Sequence, residues 1–401
     1  MMANIGVTGA FGFLGANFVR ALLEEGPLLG FPEGGPRILA FSSRTRSNPL
    51  FDPERSGGRV RVERLDLLDC AGLAGKFEGL DAVAHFAGLI DYRASMKRAV
   101  WDADVLGTKA VFDAALAAGV SRLLYVSSIA VLGSGRLSAS RSPKGFCDEE
   151  SLPYGDPEWP ISFAAADEAL AAVEATLAGD YGFLQRSRVA YIDAKIAGWE
   201  LAKLYARERG LPVVTVFPGT VVGAGDLHRS MSMLVDSVWE GRLRLSLSGS
   251  TSFVTVRDFA RGAALALSRG RLGESYILSG RDEHNLRYAD YQDLIASLAR
   301  SEGRPAKRKP PAVPRGIVLP LATLAELLVP DAGLTKAVAI CGSLPNYPCT
   351  SAKARAELGY EPSASIEPAI LECRRFSVAR RSALAAAGAT RLRGASSRLG
   401  A

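Results

Sequence analysis

Tyr191 and Lys195 stand four residues apart in this 401-residue chain. On a helix that spacing puts both side chains on one face. A tyrosine hydroxyl, with a reference pKa of about 10, exchanges protons poorly near neutrality, and a neighbouring ammonium lowers that value by favouring the phenolate. The pair is therefore a tunable acid–base group, although the same spacing also arises by chance on helix surfaces. Tyr154 and Tyr181 cannot replace Tyr191, because Glu158 and Gln185 stand four residues after them. A second source of hydroxyls closes the apolar run Arg122-Leu123-Leu124-Tyr125-Val126, which ends in Ser127-Ser128. A hydroxyl at a strand end can donate to an oxygen that gains charge during reaction.

Such groups need a scaffold and a reactant. Ile5-Gly6-Val7-Thr8-Gly9-Ala10-Phe11-Gly12-Phe13-Leu14-Gly15 reads as a strand, a glycine turn and the start of a helix. Gly9 lets the chain turn, Gly12 removes the side chain that would keep a diphosphate off the backbone, and Gly15 lets helix and strand pack closely. The helix end then offers free N–H groups to the phosphates. Phe11, Phe13 and Leu14 line the same turn. The second strand, Arg37 to Ser42, leads into Ser43-Arg44-Thr45-Arg46 with no acid. Hydroxyls and arginines there suit a 2′-phosphate, where a carboxylate would suit the ribose of NAD. We therefore favour NADP(H), with NAD(H) as the alternative; the structural reading is that Arg44 and Arg46 only solvate a loop.

Further strands are expected at Val60 to Leu65, Asp81 to Phe86, and Pro212 to Phe217. Each ends in a candidate cofactor contact, namely Asp66-Leu67, Phe86-Ala87-Gly88 and Pro218-Gly219-Thr220-Val221, because the C-terminal ends of parallel strands face the ligand crevice. His85, inside an apolar strand, reads as a satisfied core histidine. Alternating helical and strand patterns give class α/β. Gly26 to Pro36 reads as a surface insertion. Phe253 to Asp258 and Glu274 to Ser279 are assigned to a smaller substrate-side region.

The net charge of +6 does not belong to the fold, since Arg374 to Ala401 holds seven arginines and no acid. No nucleic-acid partner is expected. The five cysteines lack paired metal spacing and read as free thiols, without metal, in a reducing compartment. With strand one at the N-terminus, no signal peptide is expected and the localisation reads as cytoplasmic. Gly316 to Val329 is the most apolar later stretch, shorter than the roughly 20 residues a bilayer span needs. Core packing and peripheral membrane contact both remain open for it.

The order of glycine turn, Ser-Ser strand end and Tyr-Lys helix resembles an extended short-chain dehydrogenase/reductase of the NAD-dependent epimerase/dehydratase superfamily. The resemblance runs from about Ile5 to Pro362 through His85-Phe86-Ala87-Gly88, Val105-Leu106-Gly107-Thr108, Tyr125-Val126-Ser127-Ser128, Tyr191 to Lys195, Pro218 to Gly223 and Val254 to Asp258. It implies a Rossmann-type doubly wound parallel sheet, mainly within residues 1–250, with an insertion at about 155–188. A smaller substrate-binding region follows mainly over 218–372, interleaved with the first, and a basic flexible tail over 373–401. Ser128 would then hold the substrate oxygen, Tyr191 would act as acid or base, and Lys195 would hold the nicotinamide ribose and lower the tyrosine pKa. Relatives are commonly dimers through helices near the Tyr-Lys segment.

Two departures stand out. Asp104 occupies a position where many relatives have Asn, and the spacing from Ser128 to Tyr191 is long. Phe217-Pro218 lacks the arginine usual in nucleotide-sugar enzymes, whereas Gly270 to Gly280 and Tyr360-Glu361-Pro362 look like the dihydroflavonol-reductase and 3β-hydroxysteroid-dehydrogenase branch. The leading expectation is an NAD(P)-dependent oxidoreductase acting on the carbonyl or alcohol of a moderately large apolar small molecule. The alternatives are a nucleotide-sugar epimerase or dehydratase that retains NAD, and a cofactor-sensing protein without turnover.

Overall fold

The computed structural model describes residues 2–43, 48–73, 75–133, 146–156, 159–227, 231–304, 306, 310–329, 335–344 and 348–396; the side chains of 70, 71 and 385–396 lie outside that description. Strands are β1 (Asn4–Thr8), β2 (Arg37–Ser42), β3 (Val60–Arg64), β4 (Ala82–His85), β5 (Arg122–Val126), β6 (Val213–Pro218), β7 (Thr220–Val222), β8 (Ser246–Leu247), β9 (Ser250–Thr255), β10 (Ser275–Leu278), β11 (Asn285–Arg287) and β12 (Ala312–Val313). Helices in the first half are α1 (Phe13–Glu25), α2 (Cys70–Leu73), α3 (Lys97–Trp101), α4 (Gly107–Ala118), α5 (Ala166–Leu177) and α6 (Ala190–Arg209). The second half adds α7 (Met231–Trp239), α8 (Val256–Arg269), α9 (Tyr288–Ser301), α10 (Arg315–Leu328), α11 (Lys336–Cys341), α12 (Ala352–Leu358) and α13 (Glu367–Ser396).

Seven strands form one parallel sheet in the order β10-β6-β5-β4-β1-β2-β3. Strands β4 and β6 are buried along their whole length, as a parallel sheet covered on both faces requires. Helices α1 and α8 cover one face, packing Phe18, Leu22, Phe259 and Ala263 onto Ile5, Val7, Leu124 and Val216. On the other face Phe112, Leu201 and Tyr205, from α4 and α6, meet Val83, Leu123 and Val213. The chain leaves β1 toward β2 and β3, then returns to place β4 on the other side of β1. That reversal opens a crevice at the C-terminal ends of β1 and β4.

Three expectations are corrected. Residues 275–278 complete the main sheet as β10, beside β6, and α8 packs against α1, so neither element lies apart on the substrate side. Within the Gly26 to Pro36 segment, Leu29 and Phe31 are buried in the first core. The basic C-terminal stretch is helical through Ser396 and docked at its start: Arg374 and Arg381 each bridge Asp236 and Glu240, and the Ser377 hydroxyl donates to Asp236. Arginine there neutralises acids on and beside α7 instead of trailing in solvent.

Cys147, Cys341, Cys349 and Cys373 are free thiols. Among the described residues no group of His, Cys, Asp and Glu could hold a metal, and no helix is long and apolar enough to cross a membrane.

Candidate active site

Helix α6 carries the Tyr-Lys pair and is buried on nearly every side from Ala190 to Ala202. Its polar residues therefore need partners. Glu200 meets the Tyr154 hydroxyl at 2.8 Å and Lys203 Nζ at 2.7 Å. Asp193 accepts from the Ser162 amide and hydroxyl and from the Ser187 hydroxyl. Lys195 Nζ lies 2.6 Å from Asp104 Oδ1, both side chains being buried.

The structure brings Ser128, Tyr191 and Lys195 together. Ser128 is extended just after β5, and its Oγ accepts the Ala130 N–H at 3.1 Å, capping a 3₁₀ turn. Its proton remains to donate, and the Ser128 side chain acts on Tyr191 to favour the phenolate. Lys195 Nζ stands 5.9 Å from the Tyr191 ring centre and 6.0 Å from that of Tyr125. The net effect on Tyr191 departs from the expectation: its pKa is raised above the ordinary tyrosine value. Burial disfavours the phenolate most, Lys195 pulls the other way, and Asp104 pushes upward again. Burial alone would lower the Lys195 pKa, but Asp104 and the two phenols outweigh it, so the group stays an ammonium.

Asp104 stands out in the sequence only as a departure from the relatives' Asn, and its pairing with Lys195 is not visible there. It sits in a π-helical turn, Asp102–Leu106, between α3 and α4, and its Oδ2 also accepts the Leu89 N–H at 3.0 Å. A hydrogen-bond chain anchors it to the sheet. The Thr108 hydroxyl donates to Asp104 O at 2.7 Å, so His85 Nε2–H donates to Thr108 Oγ1 at 3.1 Å and His85 Nδ1 accepts from the Thr8 hydroxyl at 2.7 Å. Burial, helped by Lys195, lowers the His85 pKa to about 3, consistent with a neutral core histidine. The available signal was an acid between Trp101 and Val105, both fully buried.

The crevice fits a dinucleotide. Gly9 adopts φ +67°, and Gly15 packs so closely that a Cβ would sit 2.3 Å from Gly9 O. Gly12 ends the turn as the N-cap of α1, with no side-chain cap and no acid in the first helical turn, and a Cβ there would approach only Gly9 O, at 3.2 Å. The helix end is thus left for an anion. Phe11 is core, stacked on Phe51, while Phe13 and Leu14 lie half-buried against the same core. Ser43 and Asp66 are exposed at the ends of β2 and β3, Leu67 packs on Gly107, and Arg44 and Arg46 lie outside the described residues.

Phe86 packs on Phe18 and Phe259, Ala87 approaches Gly9, and Gly88 is exposed where a Cβ would strike Asp104 Oδ1. Ser127 is buried at the end of β5, Pro218 ends β6 and a Cβ on Gly219 would meet Ser252 O at 2.8 Å. The Thr220 hydroxyl is spent on Thr251, and Val221 lies in the core cluster that holds Phe11. Two surface cavities, of about 310 Å³ around Arg281 and Arg355 and about 420 Å³ around Leu247 and Arg287, include none of Ser128, Tyr191 and Lys195.

Residues 5–279 match the family model described as NAD dependent epimerase/dehydratase family. The chain belongs to that family. Among its relatives, sterol demethylase protein B of Methylococcus capsulatus is 28% identical over 318 residues, 78% of this chain and 79% of that protein. The putative dihydroflavonol 4-reductase of Synechocystis is 27% identical across 91% of this chain and 92% of its own. The solved dTDP-glucose 4,6-dehydratase of Streptomyces venezuelae, with NAD and TYD bound, superposes with a TM-score of 0.66 at 22% identity, covering 94% of this chain and 98% of that one; it shares the fold. This family member is accordingly an oxidoreductase-type enzyme that uses a nicotinamide cofactor.

Proposed function

We propose that this family member is an NADP(H)-dependent reductase of a ketone or aldehyde on a moderately large apolar substrate. The observation that carries the reading is the setting of Tyr191. Ser128 favours its phenolate, its ring meets Tyr92 edge-on at 5.7 Å, and the surrounding cluster adds half-buried Leu89, Met96 and Leu319. An apolar lining with one hydroxyl pair suits a substrate recognised by shape at a single polar point.

The bound nicotinamide would supply the hydride. Tyr191 gives its proton to the carbonyl oxygen as that oxygen gains charge, Ser128 donates a hydrogen bond to it, and the Lys195 ammonium steadies the phenolate left behind. In the reverse direction the phenolate takes the alcohol proton. Gly9, Gly12 and Gly15 would hold the diphosphate, and Ser43 with Arg44 and Arg46 would take the 2′-phosphate.

The test is Tyr191→Phe on a substrate found in a carbonyl panel. We expect a loss of roughly 10²–10⁴ in kcat with NADPH affinity unchanged; full activity would overturn the mechanism. A second reading, a nucleotide-sugar epimerase or dehydratase, draws on the family model and on the NAD-bound dehydratase of like fold. Mass spectrometry of nucleotide released on denaturation separates the two, since stoichiometric retained NAD supports the second.

A further inference from the structure

Helix α10 presents two unlike faces. Val318 and Ala322 are buried against Ala339 of α11, and Leu319 packs on the cluster that holds Tyr191. On the outer face Ile317, Leu321, Leu324, Leu327 and Leu328 are each more than half exposed, and Pro320 and Gly316 complete the same side. These positions recur at helical spacing and carry no charge. The only acid of the helix, Glu326, is turned off this face and accepts the Lys336 N–H. A contiguous apolar face of this kind marks a binding surface.

The charge beside it identifies the occupant. Residues 304–315 contain Arg304, Lys307, Arg308, Lys309 and Arg315 and no acid; Lys307, Arg308 and Lys309 lie outside the described residues, while Arg304 and, on α11, Lys336 are exposed. An uncharged apolar helix face whose sequence is led by a cationic stretch matches the two layers of an anionic bilayer surface, acyl chains and phosphate headgroups. A second copy of the chain would bring the same cationic stretch toward itself. We propose that α10 docks the enzyme on anionic phospholipid by laying Ile317, Leu321, Leu324 and Leu328 into the acyl boundary. The opposite side of the same helix reaches the cluster around Tyr191, so a membrane-dissolved apolar substrate would enter beneath it.

Docking is read without turnover, so it can fail while the active-site reading stands, and the reverse. The full chain is sedimented with phosphatidylcholine vesicles, with and without phosphatidylglycerol, beside the exposed-face variant Leu324→Glu/Leu328→Glu. Wild type should pellet with the phosphatidylglycerol vesicles and lose binding in high salt. The variant should melt like wild type and bind at least about tenfold more weakly per leucine replaced. Wild type remaining in the supernatant with both vesicles would overturn the proposal. So would a wild-type dimer in analytical ultracentrifugation that the variant converts to monomer, since the face would then be covered by a second copy.

Discussion

Two buried carboxylates, one facing the Tyr-Lys helix and one on it, are neutralised differently. Asp104 meets the Lys195 ammonium at 2.6 Å. Asp193, two residues after Tyr191, meets only donors of partial charge from Ser162 and Ser187. Its pKa is pushed up to about 6, burial outweighing its hydrogen bonds and the field of Lys97. The first pair stores a full charge beside Tyr191. The second fastens the segment that precedes α6, bringing Trp159, Phe163, Phe183 and Leu184 into the cluster around Tyr191. A buried acid with a cation can tune chemistry, whereas one held by hydroxyls fixes a loop and pays in ionisation.

Removing the cation gives the largest contrast. Lys195→Met leaves Asp104 buried without a counter-charge, which costs about 3–5 kcal/mol, and turnover should collapse with it. Adding Asp104→Asn to that variant should restore most of the stability and none of the turnover. Denaturant melts and kcat on the two variants check this. If Lys195→Met melts like wild type, the pair is open to water and the contrast with Asp193 fails.

At Asp193 the expected effects are smaller and concern stability. Asp193→Ala strands the Ser162 N–H and two hydroxyls, for about 1–3 kcal/mol. Asp193→Asn keeps one acceptor oxygen and removes the titration. With a folded pKa of about 6 against an ordinary 3.8, the folded state keeps a proton that the unfolded chain has already lost. Wild type should therefore lose stability relative to Asp193→Asn as pH rises from about 3.8 to about 6, and the difference should then level off. A difference that stays flat across that window would mean Asp193 is solvated.

How much of this was legible follows from sequence distance. The glycine turn was readable because Gly9, Gly12 and Gly15 act within one turn, and Gly15 meets Gly9 as its spacing implies. Tyr191 and Lys195 were readable because a helix fixes four-residue spacing. Strand ends slipped by one or two residues, as at Arg122–Val126, which stops short of Ser127 and Ser128 although the Ser127 N–H still donates to Val216 O. The pairing of Asp104 was not legible, because its partner lies ninety-one positions away and only the crossing of the π-helical turn with α6 brings them together. The edge strand β10 and the docked Arg374 are similar cases. Each is decided by a long-range partner, β6 in one and Asp236 in the other.

Asp104→Asn alone should have the smallest effect on the fold and the most specific one on chemistry. The amide oxygen can still accept from Leu89 N, so the turn after β4 keeps its anchor. What changes is the field at Tyr191, which faces Lys195 on its own helix, Ser128 after β5, Tyr92 after β4 and Cys341 on α11. Asp104 raises the Tyr191 pKa and Lys195 lowers it, so deleting the acid lets the ammonium act unopposed. The pH dependence of alcohol oxidation, which needs the phenolate, should move to lower pH by on the order of one unit, with KM little altered. A merely structural Asp104 would change the melt and leave the profile in place. A shift to higher pH would show instead that Lys195, released from its partner, has yielded its proton to burial, which would make Asp104 the group that keeps the lysine charged.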